Sequence, residues 1–243
     1  MSGHSKWNNI KRKKEKTDGA KAKIFTKIGR EIAVCVKEGG PNPASNSKLK
    51  ELIAKAKANN IPNDNIDRII KKAGDDDKTN YEAVVYEGYG PCGVAVIVET
   101  LTDNRNRTAG DVRHYFDKFG GNLGTTGCVS FMFSPKGVIV LDAEGVDEEK
   151  AMDDFVEAGA DDFTFEEEEI EVLTEYNDVD KVAAALREMG YEVLSAEAAQ
   201  IPSTYTSIDD EEVAVKMNRL LEALDDNDDV QNVWHNWENP IEE

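Results

Sequence analysis

The sequence has 243 residues, 40% of them hydrophobic and 32% charged, enough apolar material for more than one buried core. Its three cysteines, Cys35, Cys92 and Cys128, are widely spaced and form no CxxC pair, which excludes a disulfide framework or a zinc module; no apolar run approaches the roughly twenty residues of a membrane helix, and no signal-peptide core follows Ser2 to Lys6. The formal net charge of −20 is unevenly placed: residues 1–72 hold 18 Lys or Arg against 7 Asp or Glu, a balance of +11, and the remainder holds 11 against 42, a balance of −31.

A cytoplasmic protein with no membrane partner is expected. Its acidic part repels polyanions and its basic start attracts them. The start is an arm over residues 1–20, MSGHSKWNNIKRKKEKTDGA. Lys11, Arg12, Lys13, Lys14 and Lys16 are too crowded for Glu15 to pair them all, so they either repel one another in solvent or neutralise phosphates, and phosphate contacts bind without reading sequence. Trp7, next to Lys6, can stack on an unpaired base or anchor the arm to the helices behind it. Lys21, Lys23, Lys27 and Arg30 extend the basic stripe.

Three short amphipathic helices follow over residues 21–76. Ile24, Phe25, Ile28, Ile32, Cys35 and Val36 recur at three- and four-residue intervals until Gly39, Gly40 and Pro41. Leu49, Leu52, Ile53 and Ala56 mark a second helix. Ile66, Ile69, Ile70 and Ala73 mark a third, capped by Asn63 or Asp64. The run Asp75 to Lys78 reads as a linker, after which Val, Ile, Tyr and Gly dominate.

From Tyr81 the pattern becomes strand EAVVYEG, strand CGVAVIVETL, a helix carrying Ala109, Val112, Phe116 and Phe119 that stops at Gly120 and Gly121, and strand GCVSFMF. Next comes a unit in split β-α-β order. Strand GVIVLD leads to a helix with Ala151 and Phe155, strands around Phe163 to Phe165 and Ile170 to Thr174, a helix with Val179, Val182, Leu186 and Met189, and strand YEVLSAEAAQI. A last helix, with Val213, Met217, Leu220, Leu221 and Leu224, and a strand around Val230 to Trp237 have no partners nearby in sequence. They are expected to complete the sheet begun at Tyr81. The expected fold is α+β, an N-terminal three-helix bundle followed by two ferredoxin-like α/β domains, residues 135–203 being inserted between 81–134 and 204–240 of the middle one.

Arg105 and Arg107, in TDNRNRTAGDVRHYFDK, begin a helix in an otherwise acidic region, where cations oppose the helix dipole. They are either a second binding site or partners for nearby carboxylates, while Asn104 and Asn106 either offer donors and acceptors to an RNA or protein backbone or serve as turn and cap residues. Enzymatic readings fail on their own terms. Cys35 sits on an apolar helix face and Cys128 in an expected strand, so both read as core. His4, His114 and His235 lack a partner at a catalytic spacing. Gly88, Gly90 and Gly93 have the GxGxxG spacing, but Pro91 interrupts it and a strand follows. Glu166 to Glu169, read as part of a strand, point to both faces and lack the turn glycine of a calcium loop. No catalytic residue, metal, cofactor or small-molecule substrate is expected.

The segments MSGHSKW, IKRKK, IFTK at 24–27, NNIPNDNI at 59–66, YEGYGP at 86–91, VETLTDNRNRT at 98–108 and VQNVWHN at 230–236 resemble the YebC/PmpR family along nearly the whole chain. The resemblance implies a helical bundle and two α/β domains, one inserted in the other. It also implies regulation of gene expression: many bacterial relatives are described as DNA-binding transcriptional regulators, the mitochondrial relative activates translation of cytochrome c oxidase, and ribosome-associated members help synthesis through proline-rich stretches. The chain departs from the family's pattern in three places. Ala20, Lys21, Ala22 and Lys23 replace a stretch with Arg and Gly, Cys92 stands where glycine is usual, and Trp234 and Trp237 replace other residues. The expectation is a non-enzymatic, DNA-binding transcriptional regulator using the arm and bundle. The alternatives are a ribosome-associated translation activator that binds ribosomal RNA, favoured slightly by a basic arm on an acidic body, and an acidic protein-binding adaptor.

Overall fold

The computed structural model describes residues 18–74 and 79–240. Helix α1 (Asp18–Gly39) carries Ile28, Ile32, Cys35 and Val36 on one buried face, against Leu49, Leu52 and Ala56 of α2 (Ser47–Ala58) and Ile66 and Ala73 of α3 (Asn63–Gly74). Asn46 starts α2. Its side chain accepts the Leu49 N–H at 3.1 Å and donates to the carbonyls of Cys35 and Gly40, so one buried amide ties the turn to both helices.

Strands β1 (Glu82–Tyr89) and β2 (Ala95–Thr102) form an antiparallel hairpin, and α4 (Arg105–Lys118) follows. Asn104 caps α4 at one end. At the other, Gly120 takes φ +84, and the N–H groups of Gly120 and Gly121 reach Asp117 and Phe116, the paired bonds of a Schellman stop that a side-chain-bearing residue adopts only under strain. The chain then runs through β3 (Asn122–Leu123), β4 (Phe133–Asp142), α5 (Glu148–Ala158), β5 (Asp162–Phe165), β6 (Glu169–Glu175), α6 (Val179–Glu188) and β7 (Val193–Pro202), and closes with α7 (Glu211–Asp226) and β8 (Val230–His235).

Two four-stranded sheets result, ordered β3-β1-β2-β8 and β5-β6-β4-β7, with antiparallel neighbours throughout. In the second, β6 lies between β4 and β5, the split order expected of a ferredoxin-like unit. The first is completed by β8, which pairs with β2 from more than a hundred residues away, so the second sheet falls within the chain of the first.

Side-chain alternation then sets the layers. Val96 and Val98 of β2 pack on α4 and α7, whereas Ala95 and Ile97, with Trp234, meet Val138, Val140 and Ala199 of the second sheet. On the far side, Ile139, Leu141, Ile170 and Val172 pack under α5 and α6. The order is helices, sheet, sheet, helices. Trp237 fills the core under α7 and Trp234 the core between the sheets, so both departures from the family's pattern are packing residues.

Two sequence expectations are corrected. GCVSFMF is not a strand: residues 124–132 form turns and a short 3₁₀ turn (Ser130–Met132), and only Phe133 joins β4. Cys128 is accordingly half-buried in a turn rather than in strand core. The glutamates 166–168 lie in the β5–β6 hairpin turn, closed by the Glu166 N–H on the Glu169 carbonyl at 3.0 Å, with Glu169 alone in a strand.

Candidate nucleic-acid interface

On α1, residues spaced by four and three share a face, and Lys23, Lys27 and Arg30 lie along one such line. That line faces the C-terminal end of α7. Lys23 is paired with Asp226, Lys27 lies 3.6 Å from Asp225, and Arg30 is paired with Asp229. Arg30 also donates to the Leu101 carbonyl at 2.9 Å and stands 5.4 Å from the centre of the Tyr81 ring. Three of the cations expected to meet phosphate therefore meet the acidic body. Lys6, Trp7, Lys11, Arg12, Lys13, Lys14 and Lys16 lie outside the described residues, as does the side chain of Lys21.

The bundle also exposes basic side chains on its other two helices, interspersed with exposed Glu51, Asp64 and Asp67. Lys48, Lys50 and Lys57 of α2 and Arg68 and Lys71 of α3 are exposed, and Lys55 is paired with Glu31 at 3.2 Å. Sequence reading concentrated on the arm and α1 and left these out, although their spacing on amphipathic helices already placed them outside the apolar face.

Arg107, one of the two arginines singled out in the sequence, has a side chain that is 45% exposed yet reaches a buried carboxylate. Its guanidinium donates to Asp229 at 2.7 and 3.0 Å and to Asp103 at 2.8 Å, and these carboxylates raise its pKa further. Arg105 reaches Glu82 at 3.2 Å, near the rim. Asn104 caps the helix by accepting the Arg107 N–H at 3.1 Å. Asp229 is only 3% exposed and also accepts the Thr108 hydroxyl at 2.6 Å and the Thr102 hydroxyl at 3.3 Å. Burial would push its carboxyl up, but the bonds from Thr108, Arg107 and Arg30 outweigh that and hold it down at about 2. One carboxylate thus joins an arginine of the bundle to an arginine of the body.

Sequence reasoning missed Asp229. Its only local signal was membership of the run Asp225-Asp226-Asn227-Asp228-Asp229, which looks like any solvated acidic stretch.

Cys35 and His235, two of the reactive side chains, are buried in hydrogen-bonded settings. Cys35 is buried and donates to Asn46 Oδ1 at 3.4 Å, and buried His235 accepts the Trp237 N–H on Nδ1 at 3.2 Å. The GxGxxG spacing spans a hairpin turn (Pro91–Gly93) between two strands, with no helix N-terminus behind it. Among the described residues no group of three His, Cys, Asp or Glu side chains is placed to hold a metal ion, and no helix is long and apolar enough to cross a membrane.

Comparison with known proteins agrees with the architecture. Residues 5–76 match the model of the TACO1/YebC protein N-terminal domain, and residues 81–237 match that of the TACO1/YebC second and third domain. A protein of Acetivibrio thermocellus named "Probable transcriptional regulatory protein" is 61% identical over 239 residues, covering 98% of this chain and 99% of the relative. One of the same name from Finegoldia magna is 55% identical over 240 residues, covering 98% and 100%. The crystal structure of a conserved hypothetical protein from Aquifex aeolicus superposes with a TM-score of 0.83 at 44% identity, over 96% of each chain.

Proposed function

Because the chain belongs to the TACO1/YebC family, whose relatives carry regulatory names, we propose that it regulates gene expression by binding nucleic acid, in the first place DNA, through its basic N-terminal arm and helical bundle. The observation that carries the reading is the division of charge, +11 over residues 1–72 against −31 over the rest. A polyanion is drawn to one end of this molecule and repelled by the other. The exposed Lys48, Lys50, Lys57, Arg68 and Lys71 continue the attraction onto a folded scaffold.

The same division supports a second reading. A target touched at one end and read by shape and phosphate position suits folded ribosomal RNA as well as promoter duplex, which would make the protein a translation activator.

Ultraviolet crosslinking in living cells, with sequencing of both bound DNA and bound RNA, separates the two. Discrete promoter peaks that vanish when Lys11, Arg12, Lys13, Lys14 and Lys16 are changed to Gln support the transcriptional reading. Reads piled on a few ribosomal RNA positions move the function to translation. Neither signal overturns nucleic-acid binding and leaves the adaptor. In vitro, each of those five cations that contacts duplex phosphate contributes about −0.9 to the slope of log affinity against log salt, so the quintuple variant flattens the slope by about 4.5 if all five make contact.

A further inference from the structure

We propose that the seam between α1 and the C-terminal end of α7 is a closed part of the nucleic-acid docking surface, in which Asp225 and Asp226 stand in for phosphates and are displaced when nucleic acid binds. This rests on the reading of the basic segment as a nucleic-acid interface and says which of its cations are masked in the closed molecule.

The first reason is electrostatic. Asp225 and Asp226 occupy the last turn of α7, where the carbonyl ends already concentrate negative charge and where that helix carries no basic residue. Carboxylates there are unfavourable for the helix. They find compensation in Lys23 and Lys27, which belong to another part of the fold. The compensation is as good for a phosphodiester as for a carboxylate, because a lysine ammonium recognises either as a point charge.

The second reason is the gradient of burial along the seam. The side chains of Lys23 and Asp226 are 34% and 63% exposed, those of Lys27 and Asp225 are 11% and 23%, and those of Arg30 and Asp229 are 15% and 4%. The outer pair is open to solvent and salt, which makes it weak and exchangeable. The inner pair is different in kind. Asp229 holds Arg30, Arg107 and Thr108 at once, and Arg30 also holds the Leu101 carbonyl. A polyanion displaces the exposed outer pair at Lys23 before the more buried pair at Lys27, while Arg30 and Asp229 remain joined as the pivot about which the bundle swings.

Displacement also has a direction. The freed Asp225 and Asp226 swing toward solvent, and Lys23 and Lys27 of α1 turn to the bound phosphates.

A zero-length carbodiimide tests this on the unaltered protein, because Lys23 and Asp226 are close enough to be joined as an amide identifiable by mass spectrometry. The crosslink is expected to form in the free protein and to fall at least severalfold when a saturating 24-base-pair DNA duplex or an RNA hairpin of similar length is present. An unchanged yield at saturation overturns the proposal and leaves the proposed function standing.

Affinity gives the second readout. Asp225→Asn with Asp226→Asn is expected to tighten duplex binding about five- to tenfold, whereas Asp153→Asn with Glu157→Gln, the same charge change on the exposed face of α5, stays within about twofold. Equal gains in the two double variants reduce the effect to net charge and overturn the proposal. If neither the native protein nor either variant binds duplex or hairpin, the proposed function and the closed seam fall together.

Discussion

At the scale of single residues, two side chains occupy positions whose energetics are set by the backbone or by a partner far away. Cys92 lies in the tight turn after Pro91 with φ 56 and ψ 17, the left-handed region, and its side chain is exposed. A non-glycine residue there bears strain without packing gain. Cys92→Gly is therefore expected to stabilise the protein by about 0.5–1 kcal/mol, the relief of strain being partly offset by a more flexible unfolded chain, and Cys92→Val to destabilise it. Thermal unfolding of the two variants checks both signs. The sequence made this position visible, since the family's pattern has glycine there. Asp229 is the opposite case: nothing within ten residues reveals that Arg30 and Arg107 converge on it. Its carboxyl falls from 3.8 to about 2 on folding, so the unfolded chain binds the proton more readily. The stabilisation, about 2 kcal/mol, is fully present above roughly pH 4 and is lost as pH falls toward 2. Asp229→Asn should remove that part of the acid sensitivity and cost about 2–4 kcal/mol at neutral pH, because two arginines are left with an incomplete partner. Urea unfolding across pH 2–7 measures both effects.

At the scale of elements, the helices were legible and one expected strand was not, for a physical reason. Apolar residues at three- and four-residue spacing identify a helix whatever surrounds it, and α1, α2, α3 and α7 lie where that spacing puts them. GCVSFMF shows the alternation of a strand, but a single carboxylate overrides it. Glu87, on β1 and only 3% exposed, accepts the N–H of Gly127 at 2.8 Å, of Val129 at 2.9 Å and of Ser130 at 2.8 Å. Those N–H groups would otherwise serve a sheet ladder. Burial opposes the charge on Glu87, yet these bonds outweigh it and keep its carboxyl below the usual glutamate value. Glu87→Gln puts an amide donor where an acceptor is needed, and the expected cost is about 2 kcal/mol with the loss concentrated in residues 124–132. Hydrogen exchange should show those amides opening while α4 and β2 stay protected. Uniform loss of protection would mean that Glu87 supports the whole sheet instead.

At the scale of the whole molecule, the question is which parts unfold together. The apolar runs VAVIV and GVIVLD read as strands in the sequence, but nothing in them says what covers their faces. Only the structure shows that each covers the other, with Ala95, Ile97 and Trp234 against Val138, Val140 and Ala199. The two sheets therefore share a core. The bundle does not share it: its apolar cluster runs from Ile24 to Ala73 and contains no residue of either sheet, and the contacts described between α1 and the body are ion pairs, hydrogen bonds and the Arg30 guanidinium over Tyr81. Cooperativity follows shared apolar burial: the outer pairs of the seam are partly exposed and worth little, opening the seam strands no hydrophobic surface, and the buried Arg30–Asp229 pair is a single polar link between the two parts. Leu49→Ala, at a fully buried bundle position, should cost about 2–5 kcal/mol and speed exchange in α1, α2 and α3 alone. Val138→Ala, equally buried between the sheets, should speed exchange in β2 and β8 as well as in its own sheet. Native-state hydrogen exchange on the two variants decides the matter. If Leu49→Ala loosened the sheets as much as the bundle, the buried Arg30–Asp229 link would be coupling the two parts into one cooperative unit, against this expectation.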